Sequence, residues 1–323
     1  MTDRAPDVER GSLTGVIAAC CVIGAIAVGT TVRFGAEPSK APARIVPINA
    51  TEDNGRQLIA QTAEFIGPDQ ADPAKRYTTA RLSCGSCHLA TGTEPGTLTL
   101  MQVTEHYPRF SGRQGTQTEI EDRINECMQR SMNGKPLPMD SPEMMAMAAY
   151  LRSLGGQYQA MGAGQKKAAE PAAFKTPARR ADVLMGQTVF STKCSICHGA
   201  DGAGLLATKD KSQGYLFPPL WGPDSFNDGA GMGRVLTAAK FIKARMPLGK
   251  PDLTDDEAFD VAALISMKPR PEMPNLDKDY PDRTTKPIDN GYGPFADDFP
   301  VDQHKFGPFP PIEAYYKGLK KAK

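Results

Sequence analysis

Two five-residue runs, Cys84-Gly85-Ser86-Cys87-His88 and Cys194-Ser195-Ile196-Cys197-His198, each set two thiols about one helical turn apart with an imidazole directly behind them. That spacing suits thioether bonds from one turn of chain to the two vinyl groups of a single haem, with the histidine reaching the iron. A zinc site or a redox dithiol is the competing reading of any Cys-x-x-Cys pair. Two copies, each followed at once by histidine, favour two covalently bound haem c groups. Cys84, Cys87 and His88 would hold the first, and Cys194, Cys197 and His198 the second. The sixth ligand on each iron then decides what the centre does.

In the second half, Ala244-Arg245-Met246-Pro247 offers Met246 as that ligand, and a His/Met pair raises the potential of a haem that passes electrons onward. Met232 is the reserve, and Met267 is expected to pack. In the first half Met132 occupies the corresponding position and Met139 lies close by, but Cys127 shares the segment. Thr118 and Glu121 form a capping-box pattern for a helix continuing to about Ser131. At about 100° per residue, Arg123, Cys127 and Ser131 stack on one face with Arg130 beside them, while Glu121, Asp122 and Glu126 project away. A lone cysteine is ordinarily a small buried hydrophobe. Two arginines on its own face would instead favour the thiolate, and a thiolate on iron would lower the first haem's potential. Arginine forks and a serine hydroxyl are also the donors suited to a sulfur oxyanion, and Arg113 can arrive from the preceding loop.

These residues need two scaffolds. At 323 residues the chain suits two or three modules, and its net charge of +1 gives no reason to expect nucleic acid. Plentiful glycine and proline with few aromatics suit small helical domains wrapped around a large apolar cofactor. The halves repeat: Gly134-Lys135-Pro136, Glu143 and Ala148-Ala149-Tyr150-Leu151 answer to Gly249-Lys250-Pro251, Glu257 and Ala262-Ala263-Leu264-Ile265. Each half should close in an amphipathic helix, capped by Ser141 in one and by Thr254 or Asp255 in the other.

The expected fold is mainly α, with two c-type cytochrome domains that are each a small helical bundle around a covalent haem. A signal anchor or transmembrane helix is expected over 1–34, because Ser12 to Val32 carries no charge over about 20 residues. A cleaved signal peptide, and a lipoprotein box at Ile17-Ala18-Ala19-Cys20, are the alternatives. A tether follows over 35–47, the first domain over 48–162, a linker over 163–180 and the second domain over 181–270. The proline- and glycine-rich remainder, 271–323, reads as an extended C-terminal arm, ordered by its spaced aromatics. Haem attachment of this kind requires export in bacteria, so the expected location is the inner membrane with both haem domains in the periplasm.

The phrases EDRINECMQRSMNGKPLP, CSICHGADGAG, PPLWGPDSFNDGAGM and YGPFADDFPVDQHKFGPF resemble the dihaem thiosulfate dehydrogenases over most of 81–312. The resemblance implies a His88/Cys127 haem as active site, with Arg113, Arg123 and Ser131 holding thiosulfate, and selects Cys127 over Met132 as ligand. It implies the joining of two thiosulfates into tetrathionate, with electrons leaving through the second haem to a cytochrome, a copper protein or an oxidase. In that family a lysine can precede the methionine of the second haem and compete for the iron; here the residue is Arg245. The rival readings are a dihaem cytochrome that only transfers electrons, the same enzyme run as a tetrathionate reductase, and a peroxide reductase using His106 or His304 as acid–base group.

Overall fold

The structure, a computed structural model, describes residues 49–321. The expected anchor and tether lie outside the described residues. Among the described residues no helix is long and apolar enough to cross a membrane.

The first half opens with α1 (Glu52–Ala60) and α2 (Thr62–Ile66), which lead into the first Cys-x-x-Cys-His turn. A two-stranded hairpin follows, β1 (Arg109–Ser111) with β2 (Thr116–Thr118), then α3 (Ile120–Arg130) and the closing helix α4 (Pro142–Gln159). The hairpin is antiparallel, pairing Arg109 with Thr118 and Ser111 with Thr116. Its turn carries Arg113 and returns at Gly115, whose φ of 71° is the left-handed conformation glycine tolerates. After α5 (Ala163–Ala168), the second half runs through α6 (Val183–Val189), α7 (Ser195–His198), the short pair β3 (Leu205–Leu206) and β4 (Tyr215–Phe217), α8 (Val235–Arg245) and the closing helix α9 (Asp255–Met267). Two further helices, α10 (Val301–Phe306) and α11 (Pro310–Lys321), complete the described residues.

The closing helices start where their caps place them. The Ser141 hydroxyl accepts from Met144 N at 3.2 Å, and Thr254 accepts from Glu257 N at 3.1 Å while Glu257 accepts from Thr254 N at 2.8 Å. Each half then crosses its first helix over its closing helix at a glycine. A Cβ on Gly55 would stand 2.0 Å from Ala146 O, and one on Gly186 would stand 2.2 Å from Asp260 O. Nothing larger than hydrogen fits either crossing, so the two halves share a packing device as well as a motif.

Three expectations change. The helix bearing Cys127 is capped one residue later than Thr118-x-x-Glu121 suggests: Glu119 N donates to Asp122 Oδ2 at 2.8 Å, and the Thr118 hydroxyl is spent on Arg109 O of the hairpin at 3.1 Å. The linker opens as helix α5, because Ala, Gln and Lys are good helix formers once Gly162 releases the preceding helix. The arm is extended only over its first part. Its end forms α11, where two prolines sit in the first turn and need no amide partners.

The arm is built into both halves. Phe306, Phe309, Ile312 and Tyr316 pack with Phe190, Phe259 and Leu264 in the second core. Phe226 and Ala230, from the second half, belong to the first core with Ile124, Met128 and Met147. Hydrogen bonds join the same surfaces: Arg81 N donates to Asp224 Oδ1 at 2.8 Å, and Asn227 Nδ2 donates to Gln129 O at 2.8 Å.

Candidate active site and cofactor cavities

Both motif histidines have one nitrogen occupied. His88 Nδ1 lies 2.7 Å from Leu98 O, and His198 Nδ1 lies 2.8 Å from Pro218 O. A carbonyl oxygen only accepts, so each Nδ1 carries the proton and each Nε2 keeps its lone pair for a metal. Burial lowers the pKa of both rings, which holds them neutral at physiological pH.

Burial also pushes the Cys84 thiol up to about 12 and those of Cys87 and Cys194 to about 11. A dithiol redox site needs the opposite, a depressed pKa and access. Beside these groups lies a largely apolar cavity of about 400 Å³, with Cys87, Cys194, Cys197, His198 and Met246 on its wall and Phe226, Phe241, Ile242, Val261 and Ile265 around it. Thiols, a pre-set imidazole and an apolar slot fit a covalently held haem. Met232 lines the same cavity as Met246. Met267, expected to pack, is 53% exposed on the outside of α9.

Arg245, next to Met246, is committed elsewhere. Its Nη1 donates to Glu94 Oε1 of the first half at 3.0 Å and its Nη2 to Pro95 O. The guanidinium is an interdomain clamp.

In the first half α3 brings Cys127 into the field of Cys84 and Cys87, both of whose pKa values it helps raise. Arg123 is held above the ordinary arginine range, chiefly by the Cys127 sulfur beside it and then by Glu126. Ser131 ends the helix one turn beyond, its amide donating to Cys127 O. Arg113 arrives from the hairpin turn with Nε 3.3 Å from the Tyr280 hydroxyl and Nη1 3.9 Å from Glu126 Oε1. Met132 is 3% exposed and locked in the first core, and Met139 is exposed.

Two residues on α3 depart from the helical wheel. Glu126 reaches back to accept from Arg123 Nη1 at 3.0 Å and stands between Arg123 and Arg113. Burial pushes its carboxyl up, but the two arginines more than offset this and hold it below the usual carboxylate range. Arg130 turns away from the cysteine face, donating to Asp279 Oδ1 at 2.7 Å and to Gly229 O at 3.2 Å. Asp279 also accepts from the Tyr292 hydroxyl at 2.6 Å and has Arg113 Nε 3.8 Å away. Asp279, Tyr280 and Tyr292 come from the arm, far along the chain. The spare histidines do not join the site: His304 is buried between Ile288 O, Asp297 and the Phe295 ring, and His106 is exposed.

The SoxA/TsdA cytochrome c domain matches residues 74–158, and the family of cbb3-type cytochrome c oxidase subunit III matches 181–265. A thiosulfate dehydrogenase of Allochromatium vinosum is 42% identical over 195 residues, covering 59% of this chain and 70% of that protein. One of Stutzerimonas stutzeri is 35% identical over 222 residues, covering 68% of this chain and 69% of its own. The solved "as isolated" thiosulfate dehydrogenase TsdBA of Marichromatium purpuratum superimposes with a TM-score of 0.60 at 31% identity, over 74% of this chain and 50% of that one. With two cytochrome c domains, and histidines, thiols and an apolar cavity that fit the cofactor, the chain is an oxidoreductase that carries two covalently bound haem c groups and belongs to the thiosulfate dehydrogenase family.

Proposed function

We propose that the protein oxidises two thiosulfates to one tetrathionate at Cys127, on a first haem ligated by His88 and Cys127. A second haem, ligated by His198 and Met246, passes the electrons to an external cytochrome, copper protein or oxidase. The observation that carries this reading is that Arg123 and Cys127 stand four residues apart on α3, with the Cys127 sulfur the leading electrostatic influence on Arg123 and within the field of the first Cys-x-x-Cys pair. Bound haem supplies one-electron acceptance at each centre.

The chain's own residues do the rest. Arg123, Arg113 and the Ser131 hydroxyl bind the oxyanion end of thiosulfate by charge-assisted hydrogen bonds. The thiolate and the sulfane sulfur of one thiosulfate form an S–S bond with release of two electrons, leaving a cysteine S-thiosulfonate. The second thiosulfate attacks the sulfane sulfur of that adduct. Tetrathionate departs and the Cys127 thiolate returns, so atoms and charge balance over the cycle. The arginines offset repulsion between the two dianions. Run backwards, the same residues serve tetrathionate reduction.

The decisive experiment is Cys127→Gly. Both haems should stay attached, because attachment uses Cys84, Cys87, Cys194 and Cys197, while tetrathionate formation and the thiolate spectrum should disappear. Wild-type turnover in that variant would leave Cys127 as packing and the chain as an electron carrier. The clamp on Arg245 supports a second haem that keeps Met246 through reduction, which a change to nitrogenous ligation between redox states would contradict. Residues 1–34 are assigned as an inner-membrane anchor with both haem domains periplasmic. Removing them should release a soluble, haem-loaded, active protein, and loss of haem on truncation would count against a simple tether.

A further inference from the structure

A second, polar chamber of about 90 Å³ lies behind the apolar cavity. The two share a partition. Phe226, Met232 and Ile265 face the apolar side, while Gly229, three residues after Phe226, and the adjacent Gly233 and Ser266 line the polar one. The Arg270 guanidinium caps the partition, stacked 4.3 Å from the Phe226 ring centroid.

Four cations line the chamber, Arg113, Arg234, Arg270 and Lys305, against the single lining carboxylate of Asp228. Arg234 is neutralised by Asp289 at 2.6 Å, and Arg113 has Glu126 and Asp279 just under 4 Å away. Arg270 forms no ion pair among the described residues: Nη2 donates to Ile265 O, and Nη1 is buried with no partner. Burial brings its pKa down to about 10, with Asp228 only partly opposing that. Ser266 Oγ and Asn290 Nδ2 are also buried without partners, and Asn290 is 1% exposed. Two unmet donors, one of them charged, and a hydroxyl converging on one small space each cost free energy unless an acceptor fills it.

We infer that this chamber seats an oxyanion, held by Arg270, Ser266 and Asn290 at the polar end of the haem cavity. Haem c is amphipathic, with two carboxylates at the edge opposite its thioethers, so an apolar slot backed by a small cationic chamber matches its outline. A free sulfur oxyanion has the same acceptor chemistry and would also fit, since one water needs only about 10–15 Å³. In either case Arg270 sets the charge near the electron path. This inference rests on the two haems and not on the thiosulfate reaction, so either can fail without the other.

The test is spectroelectrochemical titration of both haems in the full-length holoprotein from pH 6 to 9, in chloride and in added sulfate. Wild type is compared with Arg270→Gln and Arg270→Lys. With a haem carboxylate as the resident, Arg270→Gln lowers one haem's potential and makes it newly pH-dependent, alike in both salts, and Arg270→Lys restores the wild-type profile. With a free oxyanion as the resident, wild type shows a sulfate-dependent shift that Arg270→Gln loses. The inference is overturned if Arg270→Gln matches wild type in potential, pH profile and sulfate response, or if its potential falls equally at every pH and in both salts. Should the Arg270 variants not fold, near-isosteric Asn290→Asp is read in the same way, with repulsion from the new carboxylate giving the same shifts.

Discussion

Asp279→Asn isolates the contact by which the arm grips the helix of Cys127. The carboxylate accepts from Arg130 at 2.7 Å and from the Tyr292 hydroxyl at 2.6 Å, with Arg113 3.8 Å away. Its side chain is 10% exposed and that of Arg130 is 11% exposed. Breaking a buried pair from one side costs about 3–5 kcal/mol, because a desolvated charge is left without its partner. Asparagine keeps one acceptor oxygen and Arg130 keeps Gly229 O, so the lower end, about 3 kcal/mol, applies here. At roughly 2–4 °C per kcal/mol for a domain of 150–250 residues, the melting temperature should fall by about 6–12 °C. The assay is a thermal melt of the haem-loaded protein followed at the Soret band, with thiosulfate kinetics on the same sample. KM should rise as α3 and Arg113 lose their registration. Adding Arg130→Met should recover part of the lost stability, since the stranded charge is then removed. A melting temperature within about 2 °C of wild type, or a double variant whose loss is the sum of the singles, would refute the reasoning.

Glu126→Gln should lower KM for thiosulfate by about fivefold, on the ~1 kcal/mol scale of a unit charge at 4 Å in water. It removes the carboxylate that stands between Arg123 and Arg113, and steady-state kinetics showing a raised KM would refute it. Gly186→Ala should destabilise the second domain by about 3 kcal/mol or more in denaturant unfolding, as its Cβ would meet Asp260 O at 2.2 Å. Gly156→Ala, whose Cβ meets nothing within 4 Å, should instead stabilise by about 0.5–1 kcal/mol. Lys286 is buried against the Tyr292, Phe295 and Tyr280 rings, and burial brings its pKa down to about 8. The unfolded chain then binds more protons between pH 8 and about 10.4, so this group makes stability rise with pH across that window. Lys286→Met should flatten that rise, and an unchanged stability–pH slope would count against it.

The parts of the site that sequence reveals are those whose chemistry is local. The two Cys-x-x-Cys-His turns, the Ser141 and Thr254 caps, and the i, i+4 stacking of Arg123, Cys127 and Ser131 all depend on neighbours within a helical turn or so. A helical wheel misplaces Glu126 because it treats each side chain as a radial spoke. A glutamate has the reach to bend back to the residue three before it, and the Arg123–Glu126 spacing was the available signal. Arg130 escapes the wheel for another reason, since its partner Asp279 lies 149 positions away and no pattern announces the pair. The crossing glycines Gly55 and Gly186 were equally silent, because a missing side chain leaves no periodicity to read. The helix at the end of the arm was hidden by the prolines that precede it, which bar a helix from their upstream side but begin one readily.

The duplication and its failure at one position together explain the architecture. Each half crosses its first helix over its closing helix at a glycine and fixes its histidine tautomer through a carbonyl, so the scaffolds are equivalent. The segment before the closing helix is where they diverge. Met246 lines the apolar cavity, whereas Met132, its counterpart, is packed into the first core, and Cys127 is the sulfur within the field of the first pair of motif cysteines. The arm respects the same asymmetry. Phe309, Ile312 and Tyr316 make it part of the second core, while Asp279 and Tyr280 reach across to the first-half residues Arg130 and Arg113. A segment rooted in the second core thus also clamps α3, the helix of Cys127, through the Asp279–Arg130 pair. On the proposed chemistry, the half that carries Cys127 is therefore the half that the arm braces.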